Sequence, residues 1–246
     1  MEQIYKQTYK ISDLHVDRWG RARPSALAFL AQSAAGGHCN LLKLDWETLA
    51  KKNLFWAIIR QRVQITRLPM RGETVTVETW PMPTTRAAFP RATVGYDAEG
   101  KELFRVMGLW ILMDIQTRAM VVPGKSDVEL DGIVRGNELA PPGSILPKEL
   151  EHALPRTVVY SELDRNGHMN NTRYLDWVMD LLPAQFHREH PLRDFLICYH
   201  AEALEGQTIT LDWQLSDDGC LQVDGHRPKT DVPDKQMRVF SAQFHF

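Results

Sequence analysis

The strongest constraint on the fold is an internal repeat. Three pairs of segments align in the same order: VDRWGR at 16–21 with LDRNGH at 163–168, GETVTVE at 72–78 with GQTITLD at 206–212, and Arg105-Val106 with Arg238-Val239. In each half the first segment precedes a helical pattern and the later segments fall in strand-like runs. A repeat of this kind predicts two copies of one structural unit.

In the first copy, one helix is followed by a run of strands. Apolar residues at helical spacing follow Pro24, and proline is favoured at the first position of a helix. Gly36 and Gly37 fall inside this helix and each disfavours it by about 1 kcal/mol relative to alanine, so either the helix ends or kinks there or a sheet packs closely against it, and we favour close packing. The predicted strands are Leu54–Thr66, Glu73–Pro81, Ala87–Tyr96 and Leu103–Asp114.

The second copy repeats this order. Asn171 is predicted to cap a helix that continues through Leu182 and stops near Pro183 or the later Pro191. Strands are predicted at Phe195–Ala203, Gln207–Leu215, Leu221–His226 and Gln236–Phe246. A long helix wrapped by a curved antiparallel sheet, occurring twice, is an α+β fold of the tandem hot dog type.

The proline-rich segment between the copies sets the domain boundaries. The prolines and glycines between residues 119 and 155, among them Pro123, Gly124, Pro141, Pro142, Gly143, Pro147 and Pro155, are typical of a crossover linker. We expect a first hot dog at 1–125, a linker at 126–154 and a second hot dog at 155–246.

Composition and charge exclude several classes of protein. A net charge of -2 provides no general attraction for nucleic acid. The N-terminus lacks the pattern of a secretory signal, and no stretch approaches the roughly 18 apolar residues of a membrane span, so we expect a cytoplasmic protein. The spacing of Cys39, Cys198 and Cys220 fits neither a metal site nor a disulfide framework, and we expect no metal or cofactor.

Asp164, Asn166 and His168 are the candidate functional residues. They occupy alternate positions, so in an extended or loop segment their side chains point to one side. The helix that follows offers unpaired N–H groups, which favour the partial negative charge that a thioester carbonyl develops under attack. This combination predicts a hydrolytic site, although a polar turn that only caps the helix is the alternative.

The first copy lacks this combination. Trp19 and Arg21 occupy the positions of Asn166 and His168. We therefore expect one site per chain, in the second copy, while the first copy keeps the fold and shapes the pocket.

The segment LDRNGHMNNTRY at 163–174 resembles the acyl-acyl carrier protein (ACP) thioesterases of plants and bacteria. KKNLFW at 51–56, followed by Arg60, and GETVTVETW at 72–80 also resemble that family, so the similarity runs from about residue 5 to the end. The resemblance implies a double hot dog fold and hydrolysis of fatty acyl-ACP thioesters, which releases free fatty acid and ends fatty acid synthesis. It also implies a partner, the carrier protein with its phosphopantetheine-linked acyl chain.

The resemblance implies the catalytic residues Asp164, Asn166 and His168, and a glutamate on a later strand that falls on Glu202. Glu205 offers an alternative register for that glutamate. In this scheme Glu202 and His168 activate the hydrolytic water, and Asn166 orients substrate or water and donates to the oxyanion. Asp164 either attacks the thioester to give a mixed anhydride or orients the groups that activate water.

One position departs from many plant members of the family. They carry a cysteine directly after the glutamate, where this chain has Ala203. Neither Cys198 nor Cys220 has an evident histidine partner in the sequence, so we favour carboxylate and histidine chemistry over a thiolate nucleophile.

Several alternatives stay open. Six arginines in the first copy form either a docking surface for an acidic carrier protein or a solvated basic face: Arg60, Arg62, Arg67, Arg71, Arg86 and Arg91. An acyl-CoA thioesterase, a hot dog dehydratase and a non-catalytic acyl-binding module are the alternative functions. The chain is expected to be a monomer or a homodimer, because two fused copies already supply the pairing of single hot dogs.

Overall fold

The structure is a computed structural model that describes residues 3–229 and 235–246. The chain divides into two compact units, Met1–Pro142 and Gly143–Phe246. Residues 126–142 of the expected linker therefore belong to the first unit, and residues 143–154 belong to the second.

The first unit packs a helix against an antiparallel sheet with the strand order β1-β3-β4-β5-β2, and β6 pairs with β5. Its elements are β1 (Tyr5–Lys10), α1 (Pro24–Leu41), α2 (Trp46–Ala50), β2 (Leu54–Ile65), β3 (Thr74–Pro81), β4 (Phe89–Tyr96), β5 (Glu102–Asp114) and β6 (Met120–Val121). The predicted helix and the four predicted strands are confirmed.

The two glycines of α1 have different environments. A Cβ atom at Gly37 would lie 2.5 Å from the Tyr5 hydroxyl, whereas a Cβ atom at Gly36 would meet nothing within 4 Å. The Tyr5 ring also stacks on His38 at 5.8 Å between ring centroids. The expected close approach of the sheet is therefore confirmed at Gly37, where β1 contributes the tyrosine.

The second unit repeats this arrangement with the strand order β8-β11-β10-β9-β7. Its elements are β7 (His152–Thr157), α3 (Asn171–Met179), α4 (Ala184–Glu189), β8 (Asp194–Tyr199), β9 (Thr208–Leu215), β10 (Cys220–Pro228) and β11 (Gln236–His245). The buried Tyr174 of α3 packs edge-on against Phe240 of β11, at 4.9 Å between centroids. The helix thus covers the inner face of its sheet.

Three sequence predictions for this unit need correction. Asn170, not Asn171, is the N-cap of α3. The helix ends at Met179 rather than near Pro183, and a separate short helix follows that proline. Strand β8 ends at Tyr199, four residues before the predicted end at Ala203.

Strand β7 lies partly in the segment where the sequence predicts a linker. Within the described part of the chain it pairs only with β9, where Pro155 is opposite Thr210, so it is an edge strand. An edge position tolerates proline because one side of the strand needs no hydrogen-bond donors. The prolines that indicated a linker therefore do not exclude a strand here.

Residues 126–151 form neither helix nor strand, but arginines of both sheets bind this segment. Arg105 of β5 donates to the carbonyl of Asn137 at 2.7 Å, and Arg238 of β11 donates to the carbonyl of Ile145 at 2.9 Å. These two arginines are the pair that aligns in the sequence repeat, so equivalent residues fix the segment to each unit.

Candidate active site

Residues 164–168 form a tight turn that Asp164 stabilises. The backbone N–H of Asp164 donates to the carbonyl of His168 at 2.8 Å, and the N–H of Gly167 donates to the carbonyl of Asp164 at 3.0 Å. The Asp164 carboxylate accepts the N–H of Asn166 at 2.8 Å. Gly167 has a φ of +77°, a conformation that glycine adopts without strain. The turn leaves Asn166 exposed to solvent.

The turn brings His168 to the chain that follows β8. Met169 donates its N–H to the carbonyl of Ala203 at 2.8 Å, and His168 forms a β-bridge with Leu204. The His168 Nε2 atom then lies 3.2 Å from Oε2 of Glu202. Glu202 is thus the carboxylate that meets the histidine, although it lies beyond the end of β8 rather than on a strand.

The His168–Glu202 pair is accessible to water. The side chain of His168 is 19% exposed and that of Glu202 is 44% exposed. A carboxylate in contact with an imidazole and with solvent can take a proton from a water molecule.

Asn170 completes the N-terminus of α3. Its side-chain oxygen accepts the N–H of Thr172 at 2.9 Å and the Thr172 hydroxyl at 2.7 Å. One of the unpaired N–H groups expected at this helix end is therefore satisfied by the cap. The helix end fixes the chain after the turn.

Glu162 links the turn to α3, and this role was not predicted from the sequence. Its carboxylate accepts the indole N–H of Trp177 at 2.6 Å and the N–H of Val159 at 3.1 Å. Its carbonyl accepts the N–H of Asn170 at 2.8 Å. Because Trp177 lies on α3, only the folded chain brings these groups together, and no spacing in the sequence indicates the contact.

Two tyrosines contact each other beside α3, with 5.6 Å between their ring centroids; Tyr174 is buried and Tyr199 is partly buried. Burial, with a further contribution from the negative charge of Glu202, raises the pKa of Tyr174. Burial also raises the pKa of Tyr199, whose hydroxyl donates to the carbonyl of Asn171 at 2.9 Å. Both phenols therefore stay protonated near neutral pH, and Tyr199 holds the first residue of α3.

The first unit contains the same turn with different chemistry. Asp17 accepts the N–H of Trp19 at 2.8 Å and that of Arg21 at 3.0 Å, and Gly20 has a φ of +78°. The Asp17 carboxylate also forms an ion pair with the Arg21 guanidinium at 3.0 Å. The guanidinium lies 4.9 Å from the centre of the Trp19 ring. The first unit thus has a closed, ion-paired cluster where the second unit has the open His168–Glu202 pair.

The first unit has an apolar residue at the position equivalent to Glu202. Ala22 donates its N–H to the carbonyl of Pro69 at 2.8 Å, as Met169 does to Ala203 in the second unit. The residue before Pro69, at the position of Glu202, is Leu68. The prediction that only the second copy carries the cluster agrees with this geometry.

Models of two domains match the chain in order: the acyl-ACP thioesterase N-terminal domain at residues 2–125 and the acyl-ACP thioesterase C-terminal domain at residues 147–235. The chain belongs to the acyl-ACP thioesterase family. The family resemblance and the hot dog fold predicted from the sequence are therefore confirmed.

Solved structures of family members have the same fold. An acyl-ACP thioesterase from Bacteroides thetaiotaomicron superposes with a TM-score of 0.87 over 99% of this chain and 98% of that one, at 23% identity. The 12:0-ACP thioesterase from Umbellularia californica superposes with a TM-score of 0.79 over 100% of this chain and 97% of that one, at 21% identity.

Curated relatives are longer than this chain. The chloroplastic palmitoyl-acyl carrier protein thioesterase of Gossypium hirsutum is 26% identical over 81% of this chain and 52% of its own length. The chloroplastic oleoyl-acyl carrier protein thioesterase 1 of Arabidopsis thaliana is 23% identical over 83% of this chain and 62% of its own length. The chain thus spans about half to three fifths of these two relatives.

Ala203 occupies the position where many plant members of the family have cysteine. It is fully buried. Cys198 is also buried, with its sulfur 3.7 Å from the carbonyl of Gly143. Neither position therefore offers an exposed sulfur atom to a substrate.

The interpretation that Cys220 lacks a histidine partner needs correction, because the folded chain gives it a histidine neighbour. Its sulfur lies 3.9 Å from Nε2 of His245, which the β10–β11 register places opposite it. Burial, followed by the charge of Asp218, raises the pKa of Cys220, so the sulfur stays a thiol. His245 is opposite the first residue of β8, whereas Glu202 follows the last residue of that strand. The two ends of β8 are about 17 Å apart at 3.3 Å per residue, so the Cys220–His245 pair lies far from Glu202.

The six arginines of the first unit do not form one basic face. Arg67 pairs with Glu73 at 2.9 Å, and Arg71 pairs with Asp13. Arg91 is only 6% exposed and lies inside the unit. The interpretation of all six as a surface is therefore wrong for Arg91.

Two negative findings concern the described residues, 3–229 and 235–246. No cluster of three or more His, Cys, Asp or Glu side chains there could hold a metal ion. No helix in these ranges is long and apolar enough to cross a membrane.

Proposed function

We propose that this protein hydrolyses fatty acyl-ACP thioesters and releases free fatty acid. The observation that carries the proposal is the 3.2 Å contact between His168 and Glu202 at the solvent-accessible end of the second unit. Membership of the acyl-ACP thioesterase family supports the choice of reaction and of acyl carrier protein as partner.

In the proposed mechanism, the His168–Glu202 pair activates water. The imidazole N–H at Nε2 donates to Oε2 of Glu202 and holds the carboxylate, whose other oxygen takes a proton from the water. The water oxygen attacks the carbonyl carbon, the carbon–sulfur bond breaks, and a proton returns to the departing thiolate.

Asn166 and Asp164 have distinct proposed roles. The exposed amide of Asn166 donates to the carbonyl oxygen as negative charge develops there. Asp164 already uses one carboxylate oxygen to accept the N–H of Asn166. Of its two candidate roles we therefore propose the orienting one, because this hydrogen bond stabilises the carboxylate and makes it a weaker nucleophile.

The first unit has a supporting role in this proposal. It carries the closed Asp17–Arg21 cluster in place of catalytic groups. We propose that the region 1–125 shapes the acyl pocket and contributes to docking of the carrier protein, with residues 155–246 supplying the catalytic groups. A cytoplasmic location and a monomeric or homodimeric state stay predictions.

A thiol-release assay tests the proposal. The purified chain is given acyl-ACP and acyl-CoA of the same chain lengths, free thiol is measured, and the organic product is identified. We expect thiol and free fatty acid from acyl-ACP, and a loss of both in His168→Ala. Faster turnover of acyl-CoA would favour the alternative carrier, an enoyl product without free thiol would indicate a dehydratase, and no product from any substrate would refute a catalytic function.

A further inference from the structure

Gln207 closes the turn that follows Glu202, and the proposed mechanism does not use it. Its backbone N–H donates to the carbonyl of Leu204 at 3.1 Å, and its side-chain oxygen Oε1 accepts the N–H of Leu204 at 3.0 Å. One residue therefore binds both backbone polar groups of Leu204.

Leu204 joins this turn to the candidate active site. It forms the β-bridge with His168, and the carbonyl of the preceding Ala203 accepts the N–H of Met169 at 2.8 Å. Glu202 comes directly before Ala203 and lies outside the strands. The position of Glu202 opposite His168 thus depends on how firmly the backbone at Leu204 is held.

Gln207 is itself held from the other side. Its carbonyl accepts the N–H of Val158 at 3.0 Å, and the neighbouring Gly206 donates its N–H to the carbonyl of Val158 at 2.9 Å. Strand β9 begins at the next residue, Thr208, which is opposite Thr157 of β7. The side chain of Gln207 thus connects the end of two paired strands to the loop that carries the glutamate.

The first unit has the same turn with a different side-chain contact. Glu73 aligns with Gln207; its N–H donates to the carbonyl of Met70 at 3.1 Å, and its carbonyl accepts the N–H of Ile11 at 2.9 Å. The Glu73 carboxylate accepts from the Arg67 guanidinium at 2.9 Å. Because the backbone hydrogen bonds are the same in both units, they account for the turn, and the side-chain contact in the second unit needs a separate explanation.

The residues before the turn are exchanged together with this side chain. Where the first unit has Arg67 and Leu68, the second has Ala201 and Glu202. Alanine offers no guanidinium at this position, and the neutral amide of Gln207 binds the backbone instead. The unit that carries the glutamate is thus the one in which this side chain binds the turn itself.

We propose that Gln207 is a positioning residue of the reaction, whose amide oxygen holds Leu204 and thereby keeps Glu202 in contact with His168. The inference rests on the proposed function, because it gives Gln207 an effect on the activation of water. Gln207 acts through Glu202 and not on the substrate. A displacement of 1 Å can cost about a hundredfold in rate, so a loosened Leu204 lowers turnover with little change in substrate binding.

Steady-state kinetics with acyl-ACP test the proposal. Gln207→Ala removes the acceptor, and Gln207→Glu keeps an acceptor on a side chain of the same length. The matched control is Gln214→Ala, which removes a 2.8 Å side-chain hydrogen bond to Glu151 farther along β9. We expect Gln207→Ala to lower kcat about tenfold with KM within about twofold, and the other two variants to stay within about threefold of wild-type kcat. Wild-type kcat in Gln207→Ala, or a change in KM alone, would overturn the proposal.

A double-mutant cycle separates positioning from a general effect on folding. Because Gln207 acts through Glu202, Gln207→Ala should change kcat less than about twofold in a Glu202→Gln background. The same tenfold loss in both backgrounds would contradict the proposal.

The contact itself can be followed without catalysis. The ring signals of His168 in NMR spectra, assigned by their absence in His168→Ala, report its contact with Glu202 at a single pH. We expect Gln207→Ala to move these signals toward their positions in Glu202→Ala, and Gln214→Ala to leave them unchanged. Unmoved signals in a folded Gln207→Ala protein would refute the positioning role. Gln207→Met, which keeps the length of the side chain without its amide oxygen, takes the place of Gln207→Ala if circular dichroism shows that the alanine variant does not fold.

The two proposals fail separately. Moved His168 signals in Gln207→Ala, without thiol release by the wild type, would sustain the positioning role and reject the proposed function. Thiol release by the wild type, with unmoved signals and unchanged kcat in Gln207→Ala, would do the reverse.

Discussion

Replacing Glu202 with glutamine isolates the charge that the proposed mechanism needs. The glutamine side chain has nearly the same shape, and its carbonyl oxygen can still accept the His168 N–H across the 3.2 Å contact. The substitution removes the negative charge and with it the basicity. Glu202→Gln therefore tests chemistry with little change in geometry.

The expected effects on activity and stability differ greatly in size. General base catalysis contributes about 10²- to 10⁴-fold, so kcat should fall by that factor, which corresponds to roughly 3 to 5.5 kcal/mol of barrier. The side chains of the pair are 19% and 44% exposed, and solvent-exposed ion pairs contribute only about 0 to 1 kcal/mol to folding. The free energy of unfolding should thus change by less than about 1 kcal/mol.

Turnover is measured by thiol release from saturating acyl-ACP, and stability by urea denaturation of the same preparations. Glu205→Gln is the matched control, because it removes an exposed carboxylate three residues away. We expect this control to keep at least half of the wild-type kcat. A Glu202→Gln protein with more than a tenth of wild-type kcat would refute the role of Glu202 as a base, and a larger loss in the control would transfer that role to Glu205.

Three further predictions concern the thiol, the helix glycines and the support of the turn. Cys220→Ser should keep turnover within twofold, because the raised pKa keeps Cys220 protonated; a large loss in the same thiol-release assay would restore a thiolate mechanism. Gly36→Ala should stabilise the chain by up to about 1 kcal/mol in urea denaturation, whereas Gly37→Ala should destabilise it by about 1 to 3 kcal/mol through its clash with Tyr5, and equal effects would contradict the packing of β1. Trp177→Phe removes the 2.6 Å hydrogen bond to Glu162 and should cost about 2 kcal/mol of unfolding free energy; an unchanged denaturation midpoint would show that this bond does not stabilise the unit.

Much of the fold is encoded in local patterns. Helix α1 begins at the predicted Pro24, because proline has a fixed φ suited to a first helical turn. Helix α3 is shorter than predicted. The apolar spacing continues through Leu182, but the helix ends at Met179. The residue before a proline is disfavoured in helical conformation, and this restriction at Leu182 outweighs the apolar pattern.

The turn at residues 164–168 was predictable from the sequence, but the residues that contact it were only partly so. Asp164, Asn166 and His168 lie within five residues, and one turn determines their arrangement. Glu202 and Glu205 could not be distinguished by sequence, because the choice depends on the β-bridge between His168 and Leu204.

The contact between Cys220 and His245 could not be predicted from the sequence, because it depends on strand register. Cys220 and His245 are 25 residues apart on two strands, and only the β10–β11 pairing places them opposite each other. Such a pair shows why chemistry cannot be assigned from proximity alone. Its raised thiol pKa and its position at the far end of β8 separate it from His168 and Glu202.

Comparison of the two turns separates structural from chemical roles. Asp17 and Asp164 accept the same N–H group of the same turn, so an aspartate at this position is explained by folding alone. The copies differ where Arg21 closes an ion pair in the first unit and His168 meets Glu202 in the second. Because the backbone geometry is shared, the difference in chemistry must come from these exchanged side chains, and the proposed activity therefore depends on the His168–Glu202 pair more than on Asp164.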